Sequence, residues 1–549
     1  MNSNRSENSY SIDFNEVKQS VNVGKKKISF ISAILIVIGS CIGSGIFLKS
    51  SSILSNTWYS LPLSITTWVV SAIAVIAMSL ALIEITSVKS NNLGMIGWVK
   101  NFNKKFVYKA CKNFMFFIYT PLSFFFMPLY VLNSFQDALT AFGASNNFGT
   151  SVDFLIWSFI AILISAWFIF SSGLNAKTGN IQNWIITSIK FFPIVIIIVL
   201  GFYIAIANNI GNDIVVTPDS SQKDPTSFAG ISPVVGMFIS FGAIFFAYDG
   251  FYFSNGVMTE METPKKASFA LIIGLSITTI IYLLIAIAMT FSNPKSGSLN
   301  DFSKFLQTKN ASWVFGIVNL MVSIGICGII NGLSMWATRF AEDLIKSGEL
   351  VLFYKYSNKL NPHRPIVGSI YTAIIALIMF VIFALIGGLA YTPGGYVDGY
   401  DAAGYNSMAK LLNFADLMGN WTSILVFAFI VAAIFSCLMN RKTNRIKVVK
   451  YKYFVPVAIT SILIVGFGTA IQFASPFIDV IMMAVPSIRA QLTQEDIIGR
   501  IMLIVVLVVF IIAMIVPSVF DYDSKFLQTK FKFNVFKNED GLDQVDLIG

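Results

Sequence analysis

Apolar residues run in blocks of about 20 along almost the whole chain, divided by short polar stretches, and a block of that length crosses a hydrocarbon core of about 30 Å as one helix. The pattern predicts twelve such spans: Ser29–Leu48, Leu63–Val88, Asn113–Phe142, Phe154–Phe170, Gln182–Ala207, Pro233–Met258, Ser268–Phe291, Val314–Thr338, Ile366–Ala390, Trp421–Leu438, Tyr453–Phe473 and Ile501–Val519. Two of them are interrupted. The first contains Gly39-Ser40-Cys41-Ile42-Gly43-Ser44-Gly45-Ile46-Phe47, with three glycines within seven residues. The sixth contains Phe245-Phe246-Ala247-Tyr248-Asp249-Gly250-Phe251, with an aspartate beside a glycine. Lipid cannot satisfy freed N–H and C=O groups, so backbone unwinds at membrane depth only where protein or a cavity surrounds it. Interruptions recurring in two halves of a chain point to a binding site at the midplane between them.

Composition narrows the class. The chain is 55% apolar and only 12% charged, with 51 phenylalanines and a mean hydropathy of +0.73. A polar leader, Met1 to Gly24, precedes Lys25-Lys26-Lys27. The apolar run that follows is too long for a signal peptide and lacks a small-residue cleavage site, so it reads as a first transmembrane helix. Basic residues collect on the cytoplasmic side of a membrane. With the N-terminus inside, 29 Lys and Arg fall on inner segments, 8 fall outside, and Lys190 alone lies deep in a span. Both termini are therefore expected in the cytoplasm, with the chain multi-pass in the cell membrane. The formal charge of +10 is an orientation signal, and its placement in short loops argues against a nucleic-acid partner.

Candidate chemistry is sparse. Cys41, Cys327 and Cys437 lie in spans or at their ends and Cys111 on the inner side, so no structural disulfide is expected. The single histidine, His363, sits in an inner loop, which argues against histidine catalysis or a metal in the membrane. There is no Gly-x(4)-Gly-Lys-Ser/Thr phosphate loop. No cofactor, metal or enzymatic activity is expected.

Several motifs resemble those of the amino acid–polyamine–organocation transporter superfamily, and within it the L-type amino acid transporters and bacterial serine/threonine exchangers. Gly39–Phe47 resembles the family's first-helix signature. The stretch from Gly173 through Ile181-Gln182 and Thr187 to Lys190-Phe191-Phe192-Pro193 is similar to its fourth-to-fifth helix junction. Phe246-Ala247-Tyr248-Asp249-Gly250-Phe251, with Asn255, Glu260, Met261 and Pro264, resembles its sixth helix, and Asn331-Gly332, Arg339 and Gly348 its eighth. Two departures stand out: the run after the second span keeps only Glu84 and Gly94, and Tyr391–Asp416 reads as an outer insertion. The outer loop Gly143–Val152 has no cysteine, so no disulfide-linked heavy chain is expected.

The resemblance implies an all-α polytopic fold of about 12 helices, a five-plus-five inverted repeat with helices one and six broken. Residues 25–207 would form the first repeat and 233–440 the second. Residues 453–519 would be two peripheral spans, and 1–24 and 520–549 cytoplasmic tails. It implies secondary transport of amino acids by alternating access, with a polyamine or organic-amine carrier, or an amino acid sensor derived from a transporter, as alternatives.

The residues themselves are read as follows. Gly43, Ser44 and Gly45 form an unwound turn whose N–H groups, at a half-helix N-terminus, suit a carboxylate; close helix packing is the plain alternative. The resemblance assigns the Cys41 carbonyl to a substrate ammonium. It makes Phe246 a lid, with Ala247 and Gly250 in the same stretch, and the Phe246 and Asp249 carbonyls become acceptors. Asp249 is a buried carboxylate, hence a functional candidate, or else a cap on the second half-helix. Lys190 among Ile189, Phe191 and Phe192 is either a snorkelling lysine or one that titrates, because loss of water favours the neutral amine. In proton-coupled relatives a lysine in this pattern occupies the place of a sodium ion. Glu260 and Arg339, near the inner mouth, are candidates for an inner gate, with Glu84 similar.

Overall fold

The computed structural model describes residues 29–43, 45–88, 94–150, 152–208, 213–219, 224–252, 261, 266–346, 350, 356, 359–361, 364–391 and 406–519. Ser44 and Glu260, both singled out above, lie outside the described residues, as do Asn255, Pro264, Gly348, His363, both tails and residues 392–405 of the outer segment.

The first span is two helices, α1 (Phe30–Cys41) and α2 (Gly45–Asn56), whose axes bend by 58°. Then follow α3 (Leu61–Thr86), the short helices α4 (Met95–Phe102) and α5 (Lys105–Asn113), and α6 (Thr120–Ala141). A π-helical stretch, Phe114–Tyr119, joins α5 to α6 so that 105–141 is one continuous rod. α7 (Asp153–Ser171) and α8 (Ala176–Ala207) complete the first half. The sixth span is shorter, α9 (Pro233–Ile239) with α10 (Phe241–Tyr248). The remainder comprises α11 (Ala267–Ser292), a short α12 (Asp301–Thr308), α13 (Ser312–Lys346), α14 (Ile366–Leu385), α15 (Asn406–Thr443), α16 (Phe454–Met482) and α17 (Gln494–Val519).

Local signals explain the helix starts. Ser29 accepts from the Ser32 N–H, Asn175 from Lys177, and Ser232 from Val234 just ahead of Pro233. Each satisfies an orphan donor of a first turn, and proline there forfeits nothing. Ten described helices are long and apolar enough to span a membrane, and the bent α1–α2 pair makes eleven. The twelfth apolar run is the sixth, where Pro233–Tyr248 is too short alone and stops at the predicted interruption.

The rod of 105–141 is the centre of the bundle. Its apolar stretch is almost wholly buried, packed on α13, α14 and α15, whereas α14, α16 and α17 expose rows such as Ile378, Leu463, Ile481 and Val509. An all-round apolar helix is expected at a core, and outward rows of Ile, Val and Leu suit lipid.

Two sequence boundaries are corrected. The tenth span does not begin at Trp421: α15 starts at Asn406, so 406–416 belongs to a membrane helix and not to an outer insertion. Lys49 is not an outer-loop lysine, because α2 runs on to Asn56 and buries it completely.

Candidate functional site

α1 ends at Cys41, leaving carbonyls at its C-terminus without helical partners. Side chains from two other spans claim them. Lys190, on α8, donates to the carbonyls of Gly39 at 2.9 Å and Ile42 at 3.1 Å. Tyr282, on α11, places its hydroxyl 2.7 Å from the Cys41 carbonyl. The negative end of the α1 dipole thus faces an ammonium and a hydroxyl. A small cavity bounded by Ile42, Gly43, Phe47, Lys190, Gly325 and Ile326 lies beside this break.

The break in the sixth span is a turn. Asp249 sits at φ −57°, ψ 136°, and Gly250 at φ +100°, a conformation open to glycine and strained for other residues. Asp249 Oδ2 accepts from the Tyr119 hydroxyl at 2.9 Å, and the Tyr252 hydroxyl reaches Tyr119 at 3.5 Å. Tyr119 closes the π-helical stretch, where one extra residue per turn re-aims the side chains that follow. Ser423 of α15 stands beside the same carboxylate. Asp249 Oδ1 and Ser423 Oγ are buried with no hydrogen-bond partner among the described residues. Such a group carries a desolvation cost until something donates to it.

The two breaks touch. A Cβ on Gly45 would lie 2.5 Å from the Ala247 Cα, so only glycine permits this approach of α2 to α10. The Tyr282 hydroxyl that meets Cys41 is also 2.7 Å from the Ala247 carbonyl. One hydroxyl proton serves two carbonyls at the ends of two half-helices, which leaves acceptor capacity for an amine. Trp68 and Tyr248 wall the tyrosine, with ring centroids 5.6 Å and 5.1 Å away. The Phe246 carbonyl accepts from the Asp249 N–H at 3.3 Å.

A cover lies over the Phe246 ring. The Lys49 ammonium is 4.7 Å from its centroid and 5.8 Å from that of Tyr130. Lys49 forms an ion pair with Asp416 on α15, which also accepts from the Tyr130 hydroxyl at 3.1 Å and from Asn420 at 3.4 Å. α2, α6, α10 and α15 therefore converge on one aromatic ring. At the other end of α15, Arg441 grips the buried Glu84 of α3 at 2.9 Å and 2.5 Å and the Tyr451 carbonyl at 2.6 Å.

Of the residues picked from sequence, Cys41, Gly43, Gly45, Lys190, Phe246, Ala247, Asp249 and Gly250 fall at these two breaks. Arg339 does not: its Nη1 donates to the Met335 carbonyl of its own helix at 2.5 Å, and Nη2 has no partner among the described residues. Glu84, grouped with Arg339 from sequence, pairs with Arg441. Sequence reasoning missed Tyr119, Tyr282, Lys49 and Asp416. A lone tyrosine inside Ile280-Ile281-Tyr282-Leu283 and a lone carboxylate inside Phe414-Ala415-Asp416-Leu417-Met418 were the available signals.

A helical bundle of membrane-length spans with two broken helices meeting at its centre defines a transporter of the broken-helix class. The amino acid permease family profile matches residues 28–534, and the chain belongs to that family. A functionally unassigned protein of Mycoplasma pneumoniae is 43% identical over 90% of this chain and 94% of its own length. The serine/threonine exchanger SteT of Bacillus subtilis is 23% identical over 79% of this chain and 86% of its own. The mouse b(0,+)-type amino acid transporter 1 is 24% identical over 65% and 70%. Among solved structures, MhsT in complex with L-phenylalanine aligns with a TM-score of 0.50 at 13% identity, covering 81% of this chain and 97% of that one, a likeness of fold.

Proposed function

We propose that this chain carries amino acids across the cell membrane as a secondary transporter, by alternating access around the two breaks. The observation that carries this reading is the meeting of Gly45 with Ala247 beside two helix-end carbonyls that share one tyrosine hydroxyl. The N–H groups opening α2 suit a carboxylate, and the Cys41 and Ala247 carbonyls suit an ammonium, the two groups every amino acid has. Spans one to five and six to ten would form the two inverted repeats, with both termini cytoplasmic. Phe246 would act as the lid, and the Lys49–Asp416 pair would hold it from outside.

Asp249 Oδ1, which accepts no hydrogen bond among the described residues, supports a second reading of the substrate range. A carboxylate with three nearby hydroxyls suits a further positive charge, so basic amino acids fit beside neutral ones, and a diamine is the alternative. Flux of an amino acid panel into liposomes, with and without an imposed pH gradient, tests the proposal. Binding without flux would make the chain a sensor. Proton coupling through Lys190 requires its ammonium to leave the Gly39 and Ile42 carbonyls in one state. Lys190→Ala is expected to remove the response to the gradient while substrate exchange survives. Lys190→Arg is expected to lock the charge, since guanidinium stays protonated. Undiminished gradient-driven uptake in Lys190→Arg would exclude a titrating lysine.

A further inference from the structure

The charge on the face that carries α4 and α5 is not spread evenly. Residues 94–113 hold five lysines and no carboxylate, and residues 439–453 hold six Lys and Arg and no carboxylate. By contrast, the last turn of α13 and the residues that follow it mix Glu342, Asp343 and Glu349 with Lys346, Lys355, Lys359 and Arg364. An orientation signal alone asks only for basic residues on one side. It does not ask that acids be kept out of two segments and admitted to a third.

The fold sets the two acid-free segments side by side, because α4 packs against α15, whose last turn opens the second segment, and both are tied to the neighbouring helices α3 and α15. Asn103, between α4 and α5, donates to the Ala432 carbonyl at 3.0 Å and to Ser436 at 2.8 Å, both on α15. The Val449 N–H donates to Ser87 at 2.9 Å, and the Tyr451 N–H to Glu84 at 3.0 Å. The joint rim lies at the edge of the bundle, because α5 packs against α17, whose Ile512 and Val516 are 50% and 42% exposed. On that rim Lys104, Lys105, Lys447 and Lys450 are exposed. Between them stand two outward apolar side chains, Phe106 at 53% and Val449 at 57% exposure. Cations interleaved with exposed apolar groups, at the ends of membrane helices, match one occupant: a phosphate head above an acyl chain.

We propose that this rim binds anionic phospholipid, its lysines on the phosphates and Phe106 and Val449 among the first acyl carbons. The inference is independent of what the protein transports, and its test uses no flux. Purified full-length protein is placed in phosphatidylcholine bilayers with spin-labelled phosphatidylglycerol or spin-labelled phosphatidylcholine, and the immobilised fraction of each label is compared. The expected preference for the anionic label is about threefold or more, from attraction of a polybasic segment. It should collapse in about 0.5 M salt, where screening falls to a few ångströms. The variant Lys104→Gln/Lys105→Gln/Lys447→Gln/Lys450→Gln should bring the preference toward one, and each pair of substitutions alone should remove part of it. Lys346→Gln/Arg364→Gln, on the mixed-charge segment, should leave it unchanged. Equal immobilisation of both labels by the wild type would overturn the proposal, and so would a preference that persists undiminished in the fourfold variant. A preference seen only after residues 538–549 are removed would also overturn it. That stretch has four carboxylates and no basic residue, and the result would name it as the occupant.

Discussion

The break in the first span is made of glycine and main chain; the break in the sixth carries a carboxylate. At the first, the groups claimed from other spans are backbone: the Gly39, Cys41 and Ile42 carbonyls, held by Lys190 and Tyr282. At the sixth, a side chain dominates, with Asp249 taking Tyr119 on one oxygen and no hydrogen-bond partner on the other among the described residues. The difference teaches a division of labour. Main-chain groups are the same whatever side chain a substrate has, so the first break suits what all amino acids share. A carboxylate is specific to charge, so the sixth suits what distinguishes one amino acid from another.

Substitutions at the two breaks should therefore fail differently. The largest effect is expected for Gly45→Leu, whose Cβ would enter the Ala247 backbone. Overpacking against atoms that cannot yield falls at the top of its usual range, about 3 kcal/mol, and predicts a loss of binding of about 100-fold, for every substrate alike. Equilibrium binding to purified, monodisperse protein reads it, and tight binding by the variant would break the comparison. Next is Asp249→Asn. Removing a charged hydrogen-bond partner, worth about 1.5–3 kcal/mol, should weaken basic substrates by about 10–100-fold and neutral ones by a few-fold at most. Competition by lysine and leucine in the same liposomes measures the split, and equal losses would return Asp249 to a structural role. The smallest effect on affinity is expected for Phe246→Ala. Its ring carries Lys49 and not the backbone acceptors, so transport should fall by about tenfold while binding changes little, as removal of a cation–π seat of about 0.5–2 kcal/mol implies. Parallel changes in both would make Phe246 ordinary packing.

The legible parts of the molecule were those written locally. Apolar runs gave the spans because lipid imposes their length, and Gly39–Phe47 and Phe245–Phe251 gave the breaks because glycine and aspartate are costly in a membrane helix. The illegible parts depend on partners far along the chain. Lys49 read as a loop residue because a charge after an apolar run resembles a helix end; its partner Asp416 is 367 residues away. The start of α15 was hidden because Asn406, Ser407, Lys410, Asn413 and Asp416 interrupt the apolar run of Asn406–Asp416. Tyr282 was one tyrosine of 19, and nothing in its own segment says that two carbonyls from other spans converge on it.

The most direct test sets lysine against cadaverine, the same side-chain amine without the carboxylate, as competitors for labelled amino acid uptake into wild-type liposomes. If the first break takes the carboxylate and the shared carbonyls take the α-ammonium, lysine competes and cadaverine is weaker by about 100-fold or more, the loss of a charge-assisted contact of about 3 kcal/mol. Cadaverine competing as well as lysine would contradict the account, leaving Asp249 as the principal anchor and the chain as a carrier of amines.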